Sequence, residues 1–178
     1  QQKAWSADLS NEFLVAKPHM KDLRFGKTVI IMLYHNQEGA AGLVVNKPIK
    51  TMSISALFES SNMTKPEKII DKEITLYWGG PVDPEHIFFI HSSDYKSNNF
   101  ITSNKNFTIT RESKVLFDIA KNKGPKEYII LSGIAAWNPG QLDYEMNQDN
   151  WDKKFNNYTP IFDNGKNMWS RLIKSRDI

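Results

Sequence analysis

The sequence predicts an α+β fold, a single domain over residues 1–178 built around a mixed β-sheet. Three observations predict it. Short runs rich in β-branched and aromatic residues recur through both halves and outnumber the segments with helical periodicity. The two kinds of segment do not alternate regularly. A length of 178 residues suits one domain and suffices to bury roughly 70% of the unfolded chain's surface.

Taken in order, Phe13–Ala16 is a short apolar run stopped by Pro18. Thr28–Tyr34 is rich in β-branched residues and apolar on both faces, as a strand buried on both sides requires. Gly39 and Gly42 bracket a turn and Leu43–Val45 returns, so 28–46 reads as a hairpin with its loop near 36–40, ended by Lys47-Pro48. Ser53–Phe58 reads as a short helix capped by Ser53 or Thr51, and 60–68 as loop. Ile74–Trp78 and Ile87–Ile90 are strands separated by Gly79-Gly80-Pro81. Phe107–Ile109 is another strand, after which Thr110 caps a helix to about Lys123 with Val115, Leu116, Ile119 and Ala120 as its apolar stripe. Gly124-Pro125 stops that helix and Tyr128–Ile134 follows as a strand. Asn138-Pro139-Gly140-Gln141 reads as a helix start with Asn138 as cap, and Leu142 and Met146 as the buried i, i+4 pair. A final helix from about Gly165, capped by Asp163 or Asn164, buries Met168, Trp169, Leu172 and Ile173.

Composition excludes several chemistries. With no cysteine there is no disulfide, thiol nucleophile, iron–sulfur cluster or Cys-ligated zinc. The longest apolar run, Val29 to Tyr34, is far short of the ~20 residues that cross a bilayer, so no membrane partner is expected. The stretch Gln1–Asn11, which starts without Met, has no signal-peptide core, and a cytoplasmic protein is expected. The formal charge of +3 is polarised: residues 96–126 hold seven basic and two acidic side chains, whereas 141–152 hold four acidic and none basic.

The four histidines show no metal-ligand spacing, so no metal site and no cofactor are expected. His35 and His91 each end a predicted strand and could reach a sheet rim together. Neither a GxSxG elbow nor a phosphate-binding glycine motif occurs, and no catalytic residue is assigned. Gly79-Gly80-Pro81 could be a backbone nest for an anion or a plain tight turn. Asp143 and Glu145 diverge by about 200° on a helix, but Gln141 and Glu145 share a face. With Trp137 before the helix and Trp151 after it, they would make an aromatic wall with an amide and a carboxylate. Buried tryptophans with a solvated polar face would read the same way.

The segments FLVAKPHMKDLRFGKTV (13–29), HNQEGAAGLVVNKP (35–48), YWGGPVDPEHIFFIHS (77–92) and WNPGQLDYE (137–145) resemble the successive signatures of the AlgH/YqgE family of bacterial cytosolic proteins. TITRESKVLFDIAKNKGP (108–125), Trp151, Ile161-Phe162 and Trp169 are similar to the remainder of its pattern. Two departures stand out: Gly133-Ile134-Ala135-Ala136-Trp137 where the family usually has Gly-Tyr-Ala-Gly-Trp, and Asp143 where it usually has Glu. The resemblance implies a mixed, largely antiparallel sheet flanked by helices, and a transcriptional-regulator label without a defined DNA-binding site. The matching polar or glycine positions Asp22, His35, Asn46, Gly79, Gly80, His91, Gln141 and Glu145, together with Trp137, form the expected ligand-binding cleft.

The expectation from all of this is a non-enzymatic binding or regulatory protein for a small ligand or a protein partner. Two alternatives stand beside it. One is a hydrolase-like enzyme with His35 or His91 as base and Glu145 or Asp22 as its partner. The other is weak, nonspecific nucleic-acid binding through 96–126, with no sequence-specific DNA motif.

Overall fold

The structure, a computed structural model, describes residues 9–154, 161–163 and 165–175. Among them lie ten strands and four α-helices: β1 (Phe13–Ala16), β2 (Val29–Asn36), β3 (Gly39–Val44), β4 (Pro48–Ser53), α1 (Ile54–Ser60), β5 (Glu73–Trp78), β6 (Val82–His91), β7 (Thr102–Ser103), β8 (Thr108–Thr110), α2 (Lys114–Ala120), β9 (Tyr128–Trp137), α3 (Gln141–Asn147), β10 (Trp151–Lys154) and α4 (Met168–Lys174). The sheet runs β10-β1-β2-β3-β9-β6-β8-β7, with β5 and β4 branching from β9. It is mixed but largely antiparallel, since β5 beside β9 is the parallel pair. No helix among the described residues is long and apolar enough to cross a membrane.

Period-two alternation explains how one sheet carries a core on each face. Phe13, Val15, Val29, Ile31 and Leu43 point to one side and pack with Met168 and Leu172 of α4. Their neighbours Leu14, Ala16, Ile30, Met32 and Val44 point to the other and pack with Leu142 of α3, Trp137 and Trp151. The apolar run 28–34 is therefore buried on both faces through Met32, as the sequence predicts. Further along, Phe89, Ile130, Ile74 and Leu76 pack under α1 and α2. Each of these faces excludes water from aliphatic surface worth about 25 cal/mol per Å².

Strand β9 organises the sheet. One edge pairs antiparallel with β6 from Tyr128 to Ile134. The other edge holds two partners in succession, β5 at Ile130–Ser132 and β3 at Ala135–Trp137. Gly79 stands in the fork: its N–H donates to Ser132 O at 2.8 Å and its carbonyl accepts from Val44 N at 2.9 Å. A methyl group on Gly79 would lie 2.3 Å from Gly133 O, and one on Gly80 2.2 Å from Ala135 N. The 79–81 segment is thus a close backbone crossing, and the Gly79 N–H is already committed rather than offered to an anion.

Several local expectations are corrected. Thr110 is buried in β8, where its hydroxyl donates to Asn99 O and accepts from Glu112 N, so α2 begins only at Lys114. The last helix starts at Met168 behind Asn167 in a left-handed conformation, and the alternative cap Asn164 lies outside the described residues. Strands β4 and β10 escape sequence reading. Exposed PIKTMS has no apolar face to signal it, because Ile49 and Met52 fall on opposite sides of the strand, and Pro48 is tolerated as the first residue of an outer strand. Most distant from expectation are the two histidines. His35 lies beside Ala40, which faces Trp137 at one end of β9, whereas His91 faces Tyr128 at the other. Nine residues of strand at ~3.3 Å each separate them by roughly 30 Å, so they share no rim.

Gly133 has φ +81, and a side chain there would meet Gly80 O at 2.3 Å. Replacing Gly133 by Ala is expected to cost about 2–4 kcal/mol in a urea unfolding titration.

Candidate functional site

The site is assembled where β9 gives way to α3. Asn138-Pro139-Gly140-Gln141 is a type II turn: Pro occupies its second position, Gly140 takes φ +80 and ψ −12, and Gln141 N donates to Asn138 O at 2.9 Å. The left-handed glycine delays the helix to Gln141, later than Asn138 as cap would place it. Half of the expected capping box survives, because Gln141 Oε1 accepts from Asn138 N at 3.1 Å.

Helical spacing then sets Gln141 and Glu145 on one face, and Gln141 Nε2 donates to Glu145 Oε2 at 3.0 Å. Glu145 Oε1 accepts from two indoles, Trp137 Nε1 at 3.1 Å and Trp151 Nε1 at 3.0 Å. One tryptophan closes β9 and the other opens β10, and their rings meet edge to face with centroids 6.2 Å apart. Phe25 continues the wall, 5.9 Å from Trp151 and 5.6 Å from Trp78.

Opposite α3, the single turn of 3-10 helix Leu23–Phe25 begins at Asp22. Asp22 accepts from the Arg24 backbone N–H at 3.1 Å and from the guanidinium at 3.1 and 2.7 Å. These Arg24 hydrogen bonds hold the Asp22 carboxyl below its ordinary value of 3.8, against a smaller opposing effect of burial. The Arg24 guanidinium also lies 5.5 Å from the Phe25 ring centre.

Between these elements runs a groove of about 240 Å³, lined by Met20, Phe25, Trp137, Glu145, Asn150 and Trp151, with Lys21, Asp22, Arg24, Pro81, Ala136 and Gln141 completing it. Asn150 is buried and donates weakly to Glu145 O at 3.4 Å, while its buried Oδ1 has no hydrogen-bond donor among the described residues. Sealed acceptors of this kind are uncommon, and each asks for a partner.

Of the residues expected to form a cleft, Asp22, Trp137, Gln141 and Glu145 line this groove, and Gly79 and Gly80 lead into its Pro81 wall. The others lie elsewhere. Asn46 ties β2 to the β3–β4 connection, its Oδ1 accepting from Val29 N and its Nδ2 donating to Lys27 O. His91 is wholly buried and its ring nitrogens meet Ser92 O and Ser97 Oγ, each at 2.8 Å. His35 stands behind α3, with Nε2 3.2 Å from Asp143 Oδ2. Phe25 and Asn150, which line the groove, carry no sequence signal of this role. Asp143 and His35 are 108 residues apart, and no local pattern joins them. Among the described residues no group of three His, Cys, Asp or Glu gathers where it could hold a metal ion.

Residues 13–178 match the family described as AlgH-like. A UPF0301 protein of Rickettsia massiliae is 34% identical over 172 residues, covering 94% of this chain and 88% of its own. A second, from Rickettsia akari, is 35% identical with the same coverage. The solution structure of the AlgH protein from Pseudomonas aeruginosa superposes with a TM-score of 0.76 at 28% identity, covering 97% of this chain and 90% of that one. A crystal structure of a Corynebacterium diphtheriae protein shares the fold with a TM-score of 0.70 at 16% identity, over 99% and 91% of the two chains.

Glu145→Ala leaves two buried indole N–H groups without their acceptor, and a loss of roughly 2–5 kcal/mol is expected in denaturant unfolding followed by tryptophan fluorescence. Glu145→Gln, which retains one oxygen, is expected to lose less. At the rim, Arg24→Ala returns the Asp22 carboxyl toward 3.8 in an NMR pH titration. Because the folded-state value is the depressed one, the stabilisation from this pair is present in full above about pH 4 and is lost as pH falls from there through the lower folded-state value.

Proposed function

This chain belongs to the AlgH-like family, and on that footing we propose that it is a non-enzymatic binding protein whose ligand site is the groove between the Asp22–Phe25 turn and α3. The observation that carries the reading is the Glu145 carboxylate, oriented by Trp137, Trp151 and Gln141 inside an aromatic-walled groove. Three donors fix both oxygens, which is how a protein prepares an acceptor for recognition before a ligand arrives.

Catalysis is less well supported by the same geometry. A general base must come within about 3 Å of the proton it removes, directly or through one water. The His35 side chain is only 2% exposed, His91 is fully buried, and neither lines the groove. Glu145 is engaged on both oxygens and has no imidazole among its partners. A regulatory role, which the sequence resemblance implies, fits a protein that binds a small molecule and changes its affinity for a partner.

A saturation-transfer NMR screen of a mixed small-molecule library tests the reading. Binders are expected to shift the indole N–H resonances of Trp137 and Trp151, and to lose that effect in Glu145→Gln. Turnover across a hydrolase panel, abolished by the same substitution, would overturn it.

A further inference from the structure

Four acidic side chains lie between residues 141 and 152, and three of them have a basic partner. Asp143 meets His35, Asp149 meets Lys17 at 3.2 Å, and Asp152 meets Lys154 at 3.2 Å. Glu145 is the exception. Its contacts are neutral N–H groups, two indoles and an amide. This half-buried carboxylate therefore has no counter-ion among its hydrogen-bond partners, in a setting where charges are screened less than at the surface.

Counting acceptor positions sharpens this. A carboxylate offers about four lone-pair sites, and three are taken, leaving one on Oε2. The groove's open acceptor is thus the Glu145 carboxylate, while the cations in its lining, Lys21 and Arg24, sit on the exposed rim and Arg24 is paired with Asp22. The remaining walls are Phe25, Trp137 and Trp151, whose ring faces favour flat cations. At about 240 Å³ the groove falls below the ~300–1,000 Å³ of sites for drug-sized ligands, so the occupant is fragment-sized.

Resting on the groove reading above, we propose that the ligand is a small planar cation, a guanidinium or amidinium group that donates to Glu145 Oε2 and stacks against the aromatic wall. A planar cation supplies several N–H donors in a fixed fork, fills the open acceptor position on Glu145 and neutralises its charge in one step. An anionic ligand meets Glu145 as a like charge, and a neutral amide leaves that charge uncompensated. The Arg24 guanidinium against Phe25 shows that a planar cation and this aromatic wall are compatible at the rim.

Benzamidine, benzamide and benzoate share one ring and differ in charge, which isolates the determinant. Titrated into the full chain and followed by the Trp137 and Trp151 indole N–H resonances, benzamidine is expected to bind at least tenfold more tightly than benzamide, and benzoate to leave the signals unmoved. Glu145→Gln should weaken benzamidine at least tenfold while the backbone amide spectrum stays folded. Methylguanidine, without the ring, is expected to move the same signals at higher concentration. Benzamide or benzoate binding as tightly as benzamidine overturns the cation assignment and leaves the groove reading standing. No response to either benzamidine or methylguanidine also overturns it, and the library screen then judges the groove independently.

Discussion

Strand β9 has two edges and three neighbours, and the fold depends on how that conflict is resolved. A β-strand edge can satisfy one ladder at a time, so β5 must leave before β3 arrives. The exchange takes place within a few residues because Gly79, Gly80 and Gly133 let two backbones approach closer than any side chain allows. Gly79 hydrogen-bonds to both β9 and β3, so the fork leaves no broken ladder at its apex. From that point the last three residues of β9 run beside β3 and deliver Trp137 to the rim, and the turn after it sets the start of α3.

The groove follows from this arrangement. Trp137 reaches it from the centre of the sheet, Trp151 from the outer strand β10, and Phe25 from a turn between β1 and β2. Two of these parts are joined by one carboxylate, with Glu145 as the shared acceptor of both indoles, and Phe25 packs against Trp151. That carboxylate is structural and chemical at once. It ties α3 to the sheet, and it leaves a negative charge in an aromatic setting with no basic side chain among its contacts. The neighbouring Asp143 turns the other way, toward His35, because two positions along a helix rotate by about 200°. The same short helix therefore latches onto β2 with one side and shapes the groove with the other.

Legibility followed the range of the interaction. The alternating strands, the Ser53 cap on α1 and the Gln141–Glu145 face were all readable, because each depends on residues within about four positions. So was the pairing of two tryptophans with an amide and a carboxylate near α3. Phe25 and Asn150 were not readable. One sits in a polar turn and the other in a loop, and only the folded chain sets both along the same groove. His91 and Asn46 looked functional as polar residues among strands. Each instead satisfies backbone or hydroxyl groups where a strand ends, the ordinary duty of a buried polar side chain.

By itself the sequence determined the α+β class, the two-faced core and the family, since these rest on composition, periodicity and contiguous motifs. Only the tertiary structure decided that Asp22, Trp137, Gln141 and Glu145 converge while His35 and His91 stand at opposite ends of β9. The reason is physical. Side-chain periodicity tells which face of an element is buried, but strand order and the fork at Gly79 tell which elements meet, and those are set by long-range pairing that no local window contains.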